Sequence, residues 1–238
     1  MPVLTSKWEE KVRANYKPRA TKLVAHYTKY NRHLQVNEYL LSYMKTIRHD
    51  VNVLLVGIGR DEGPASPVHH IELAEILRDK DYSMTILDND TLALHDAAKI
   101  DGMLDETVME YIESKSFMRK KKSGEVRFVL DDIVTADLKP YGPFDIVHCI
   151  NVLYHIGDMH NTQKWRDEVI LAILNMARSL KPGGVMITDG ATTLQKSGGI
   201  FRQKLNKSVL NKMQLTYARK PVYNPAECIT YFFLQKTL

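Results

Sequence analysis

Two cysteines, Cys149 and Cys228, carry all the thiol chemistry of this 238-residue chain. They lie far apart and form neither a metal nor a disulfide spacing, so a disulfide framework is excluded and a reduced, cytoplasmic protein is expected. No uninterrupted apolar segment approaches membrane-spanning length, and the N-terminus, MPVLTSKWEEKV, lacks the apolar core of a secretion signal. No membrane is expected as a partner. Internal repeats and low-complexity segments are also missing. Neither sign of charge dominates: 33 Lys and Arg face 28 Asp and Glu, and the resulting +5 is enough to help attract RNA, DNA or an acidic protein without selecting one. With 44% hydrophobic and 26% charged residues the chain is ordinary for a globular protein, and its length suffices for one large α/β domain.

A further absence is a third glycine. Val51, Val53, Leu54, Leu55 and Val56 form the apolar run of a strand covered on both faces, ended by Gly57 and Gly59. Such a turn predicts the first crossover of a doubly wound sheet. A dinucleotide fingerprint would place another glycine where Glu62 stands, and Asp61 and Glu62 would repel a pyrophosphate. TILDND then reads as a second strand ending in Asp88, Asn89 and Asp90, the place of an acid that accepts hydrogen bonds from a ribose diol. S-adenosylmethionine fits both observations, since it carries a ribose, an adenine, an ammonium and a sulfonium but no phosphate. An ordinary glycine turn with solvated acids is the competing reading.

Along the chain, residues 1–48 are expected to form an N-terminal helical cap and 49–238 the cofactor-binding domain. Ala20 to Arg32 and Val36 to Ile47 have helical spacing, as does His70 to Lys80, with His69 and His70 as a polar helix start. No third ligand accompanies those histidines, so no metal is expected. Leu92 to Lys99 reads as a helix, and RKKKSG at Arg119 to Gly124 as a solvated loop, with a nucleic-acid contact as its alternative. Val126 to Leu130 is the third strand. It ends at Asp131 and Asp132, which either accept from an adenine amine or cap a helix. Phe144 to Ile156 is a fourth strand running into a loop, Trp165 to Ser179 a long helix, and LKPGG the stop and turn before the strand VMITDG. Ile200 to Leu210 is a helix, and Met213 to Ala218 and Cys228 to Leu234 are two antiparallel final strands. The predicted fold is a doubly wound α/β domain with a mostly parallel seven-stranded sheet, Rossmann-like, whose last strand is antiparallel.

Several of these segments together resemble the chemotaxis-receptor methyltransferase (CheR-type) family of class I S-adenosylmethionine enzymes. TKYNR at Thr28 to Arg32 resembles its TxFFR motif, and GIGRDEGPAS at Gly57 to Ser66 its GxxTGEEPYS loop, with Glu62, Pro64 and Ser66 kept. GPFDIVHCINVLYHI resembles GPFDxIFCRNVxIYF and keeps Asn151. The resemblance implies that Thr28 and Arg32 hold the methionine moiety, Glu62 its ammonium, Asp88 the ribose, Asp132 the adenine, and Asn151 the floor beneath the methyl donor. It departs at Ile150, where the family has arginine, at Gly63, where it has a second glutamate, and at His155, which aligns with its tyrosine. Only 27 residues precede Thr28, so the family's receptor-docking domain is missing. Methyl transfer needs alignment of the acceptor above all. Tyr154 and His155 are the candidates to orient it, with His155 able to take its proton and His160 a weaker alternative. The expected function is methyl transfer to a small molecule or a protein side chain. An RNA or DNA methyltransferase and a noncatalytic S-adenosylmethionine-binding regulatory protein are the alternatives, and oligomeric state is not indicated.

Overall fold

Apolar runs without alternation form the parallel strands, because both of their faces are covered. A computed structural model describes residues 34–58, 70, 73, 76–77, 79–100, 116–121, 124–156, 162–189, 207–224 and 229–238. The chain divides into two compact units, Met1–Val51 with Ile58–Asp131, and Asn52–Gly57 with Asp132–Leu238. No described helix is long and apolar enough to cross a membrane.

In the first unit, helix α1 (Leu34–Met44) buries Val36, Leu40 and Met44, the face its spacing predicts. The helix expected over Ala20 to Arg32 lies outside the described residues. Strand β2 (Tyr82–Asp88) runs parallel to β4 (Gly124–Leu130), in register from Tyr82 against Gly124 to Asp88 against Leu130. Helix α2 (Thr91–Ile100) packs on both and buries Ala93, Leu94 and Ala97. His70, Leu73 and Ile76 are helical and buried, as an inward face of the crossover helix requires. His70 is therefore buried and not the solvated polar helix start that was expected, and the residues before it, His69 included, lie outside the described residues. The basic run also departs from expectation. Arg119, Lys120 and Lys121 belong to strand β3 (Ser116–Lys121), which pairs antiparallel with β4, Phe117 opposite Phe128 and Lys120 opposite Glu125. Consecutive cations show no period of two, so the pattern that announces a strand is absent. Pairing with β4 supplies the structure that the local sequence does not.

In the second unit the strand order is β1-β5-β6-β9-β7, with β8 also paired to β9. Strand β1 (Val51–Val56) is parallel to β5 (Phe144–Cys149), and β5 to β6 (Leu180–Asp189). Every residue of β5 is buried. Helix α3 (Thr162–Ser179) packs on β6, burying Trp165, Val169, Ala172, Ile173 and Met176. β9 (Ile229–Lys236) is antiparallel to β6 and to β7 (Leu215–Tyr217), which follows the short helix α4 (Lys207–Lys212). This is the antiparallel end that was expected. β8 (Val222–Asn224), in the connection, and β3 bring the strands among the described residues to nine, where seven were expected. LKPGG does not precede β6 but lies within it. The strand pairs Leu180 with Phe144, departs from β5 around Gly183 at φ +79°, and rejoins it at Val185 opposite Ile146. Such an excursion is a bulge, which glycine accommodates.

At the entry end of these strands Asp145, almost fully buried, accepts hydrogen bonds from the backbone N–H of Asn52 at 2.8 Å and from Lys181 Nζ at 2.7 Å. Asn52 in turn donates its side-chain amide to the carbonyls of Tyr141 and Pro143. Removing the cation leaves a buried carboxylate short of one charge-assisted bond, a loss of about 1.5–3 kcal/mol. Lys181→Met is accordingly expected to lower the urea midpoint while leaving ligand affinity unchanged; an unaltered midpoint would show the pair to be dispensable.

Candidate functional site

The exit ends of parallel strands are where open α/β sheets bind ligands, and in each unit the described site residues are taken in turn at the ends of its own strands. In the second unit, β1 ends at Gly57, whose φ of +68° is a left-handed conformation that L side chains avoid. A Cβ on Gly57 would lie 2.3 Å from Val152 Cγ2, so the turn after β1 closes directly onto the loop after β5. That loop turns at Asn151, itself at φ +61°, and continues into a short 3-10 helix, Leu153–His155, closed by the His155 N–H donating to the Val152 carbonyl. Asparagine tolerates this conformation better than most residues. Ile150, Leu153 and Ile156 are buried and seat the loop, while His155 is exposed. Tyr154 lies in the same turn of helix.

β6 reaches the same end beside β5, with Thr188 opposite Cys149 and Asp189 next. Asp189 is 0% exposed, and among the described residues neither of its carboxylate oxygens completes a hydrogen bond. The Asn151 Nδ2 is likewise buried without a partner among the described residues. Burial pushes the Asp189 pKa up from 3.8 to about 7, partly opposed by the nearby backbone N–H groups of Asn151 and of Asp189 itself. Burial and the Asp189 carboxylate both raise the Cys149 thiol well above its ordinary value, with the Thr188 hydroxyl opposing them. Asp189 was not among the residues the sequence singled out. The signal was available: an acid ends its strand as Asp88 ends β2.

In the first unit, Asp88 is 8% exposed and organises the turn that follows Gly57. Its Oδ2 accepts from the Ile58 N–H at 2.7 Å, its Oδ1 from the Asp90 N–H at 2.9 Å, and its carbonyl from the Asp131 N–H at 3.1 Å. One acid thereby fixes the segment after β1, the turn after β2 and the residue after β4. Asp90 caps α2, its Oδ1 accepting from the Leu92 N–H. Asn89 is exposed, and Asp131 is half-buried. In the second unit, the Asp132 carboxylate accepts from the Val134 N–H at 2.9 Å within a turn, with no helix following for it to cap. Thr28, Arg32, Gly59, Glu62 and His160 lie outside the described residues. Among those described, no group of three or more His, Cys, Asp or Glu is placed to hold a metal ion.

No known family and no curated protein matches the chain. Solved structures do. The chain is similar to N-methyltransferase NodS from Bradyrhizobium japonicum WM9, at 16% identity and a TM-score of 0.54, over 86% of this chain and 96% of that one. NodS is also known in complex with S-adenosyl-l-homocysteine, a structure that this chain matches with a TM-score of 0.50. StiE O-MT is similar at 15% identity and a TM-score of 0.54, over 95% of this chain and 80% of that one. The [4+2]-cyclase SpnF is similar at 14% identity and a TM-score of 0.51, over 86% and 80%. At these identities the likeness is one of fold, and the chain has the Rossmann-like α/β fold that NodS, StiE O-MT and SpnF share.

Proposed function

We propose that the chain is an S-adenosylmethionine-dependent methyltransferase acting on a small molecule or a protein side chain. The observation that carries this reading is the bond from the Ile58 N–H to the buried Asp88 carboxylate. A pyrophosphate bound at this turn would need that N–H and would face the carboxylate at short range. A cofactor without phosphate has neither difficulty, and NodS, of the same fold, is known with S-adenosyl-l-homocysteine bound. When bound, S-adenosylmethionine supplies an electrophilic methyl group on a sulfonium. Asp88, with Asn89, would hold the ribose diol, and Asp131 and Asp132 would serve the adenine. Gly57 and Gly59 allow close approach of the backbone, and Asn151 forms the floor beneath the methyl donor. Thr28, Arg32 and Glu62 hold the methionine end. Tyr154 and His155 orient the acceptor, and His155 takes its proton.

Within this reading the finer proposal is a likeness to the CheR-type family, supported by the Asn151 segment and the loop sequence at Gly57 to Ser66. A cytoplasmic location is part of this proposal, in keeping with two widely spaced cysteines. Calorimetry with S-adenosylmethionine and S-adenosyl-l-homocysteine tests the proposal. The wild type is expected to bind both, and Asp88→Ala to lose about tenfold or more in affinity for each, the worth of one charge-assisted bond. A wild-type protein that binds neither ligand would refute it.

A further inference from the structure

A buried carboxylate without a partner is costly, and proteins retain such groups mainly where function uses them. Asp189 is one. It ends β6 at the exit edge of the parallel strands, with Asn151 and Val152 following the adjacent β5 and Gly57, which meets Val152, following β1. No ion pair to Asp189 is formed among the described residues. Cys149 on β5 is the ionisable side chain that feels its charge, and Tyr231 on β9 is its register partner. α3, packed on β6, contributes no charge that moves its titration.

We infer that Asp189 is the counter-charge for the cofactor's sulfonium, and so the residue that makes the site prefer the charged methyl donor over its neutral demethylated product. The inference rests on the proposed cofactor and on Asn151 as the floor beneath its methyl group. The burial of Asp189 favours this ligand group over others. An ammonium needs an accessible acceptor at hydrogen-bond distance, and the Asp189 oxygens present no surface. A sulfonium donates no hydrogen bond and is stabilised by a nearby negative charge acting through a medium of low dielectric constant. Asp189 supplies that charge behind Asn151 without touching the ligand. S-adenosyl-l-homocysteine, with an uncharged sulfur, gains nothing from it. The site then binds the donor more tightly when Asp189 is ionised, while its affinity for the product stays the same.

The test is titration calorimetry of the full chain with S-adenosylmethionine and with S-adenosyl-l-homocysteine, from about pH 5.5 to about pH 8.5, in wild type and Asp189→Asn. The α-amino groups of both ligands titrate near pH 8. That contribution is common to wild type and variant, and comparing the donor-to-product affinity ratio between the two proteins removes it. In the wild type the ratio is expected to rise about tenfold as Asp189 ionises, and in Asp189→Asn to stay flat, with donor affinity lowered above neutrality and product affinity changed less than about twofold. The wild-type pH series alone provides a reading that does not depend on how the variant folds. Equal losses for donor and product, or a ratio that does not differ between the two proteins, would overturn the inference while leaving the cofactor assignment intact. Failure of the wild type to bind either ligand would overturn both.

Discussion

Asp189→Asn is expected to remove most of the pH dependence of stability between about pH 4 and pH 7, and to make the protein more stable than wild type at pH 8. The folded-state pKa of Asp189 is raised from 3.8 to about 7 by burial. Between those values the folded chain keeps the proton that the unfolded chain releases, so stability falls as pH rises through the window and the full penalty applies above it. A rise from 3.8 to about 7 corresponds to on the order of 4 kcal/mol. Asparagine avoids the charge but not the burial, and a buried amide without partners costs about 1–3 kcal/mol. Two opposing terms therefore set the outcome. At pH 8 the variant should gain roughly 1–3 kcal/mol, the difference between the two costs, whereas near pH 4.5 it should be no better than wild type and can be worse. Urea unfolding at the two pH values measures this. Parallel shifts of wild type and variant would mean that Asp189 does not titrate in this window, and would remove the support its titration gives to a role as a counter-charge.

The parallel strands and the long helix were legible because burial leaves a pattern along the chain. FDIVHC and VNVLLV are apolar almost throughout, and α3 repeats its apolar residues at helical spacing. Asp88 was legible for a related reason, since an acid at the end of such a strand occupies a known place in the fold. What its carboxylate does was not. It binds the Ile58 and Asp90 N–H groups, bonds to backbone that no residue pattern encodes. β3 was illegible because four consecutive cations look the same in a loop as in a strand, and only its register with β4 distinguishes them. Asp189 was overlooked because a carboxylate reads as solvent-exposed by default. Its burial is a tertiary property, produced by β5 on one side and β9 on the other. The residues that escaped the sequence are thus those whose role depends on partners distant in the chain.

Gly57 joins the two kinds of information, and its substitution should have the largest structural effect at the site. Glycine in a GIG turn was expected from sequence, and the left-handed backbone, φ +68°, accounts for it. An alanine there pays about 1–2 kcal/mol for that conformation. The contact with Val152 adds a second cost: the new Cβ would stand 2.3 Å from Val152 Cγ2, and relieving such an overlap in packed surroundings typically costs about 1–3 kcal/mol. Gly57→Ala is therefore expected to lose about 3 kcal/mol of stability, and to weaken S-adenosylmethionine binding because the Asn151 loop must shift with Val152. The double variant with Val152→Ala separates the two costs. Removing both Cγ atoms relieves most of the overlap, leaving the Val152 Cβ at 3.2 Å, but not the backbone strain, so the two substitutions should be non-additive by about 1–2 kcal/mol, the second costing less in the presence of the first. If the losses simply add, the glycine is required by its backbone alone, and Val152 does not couple the turn after β1 to the loop that carries Asn151.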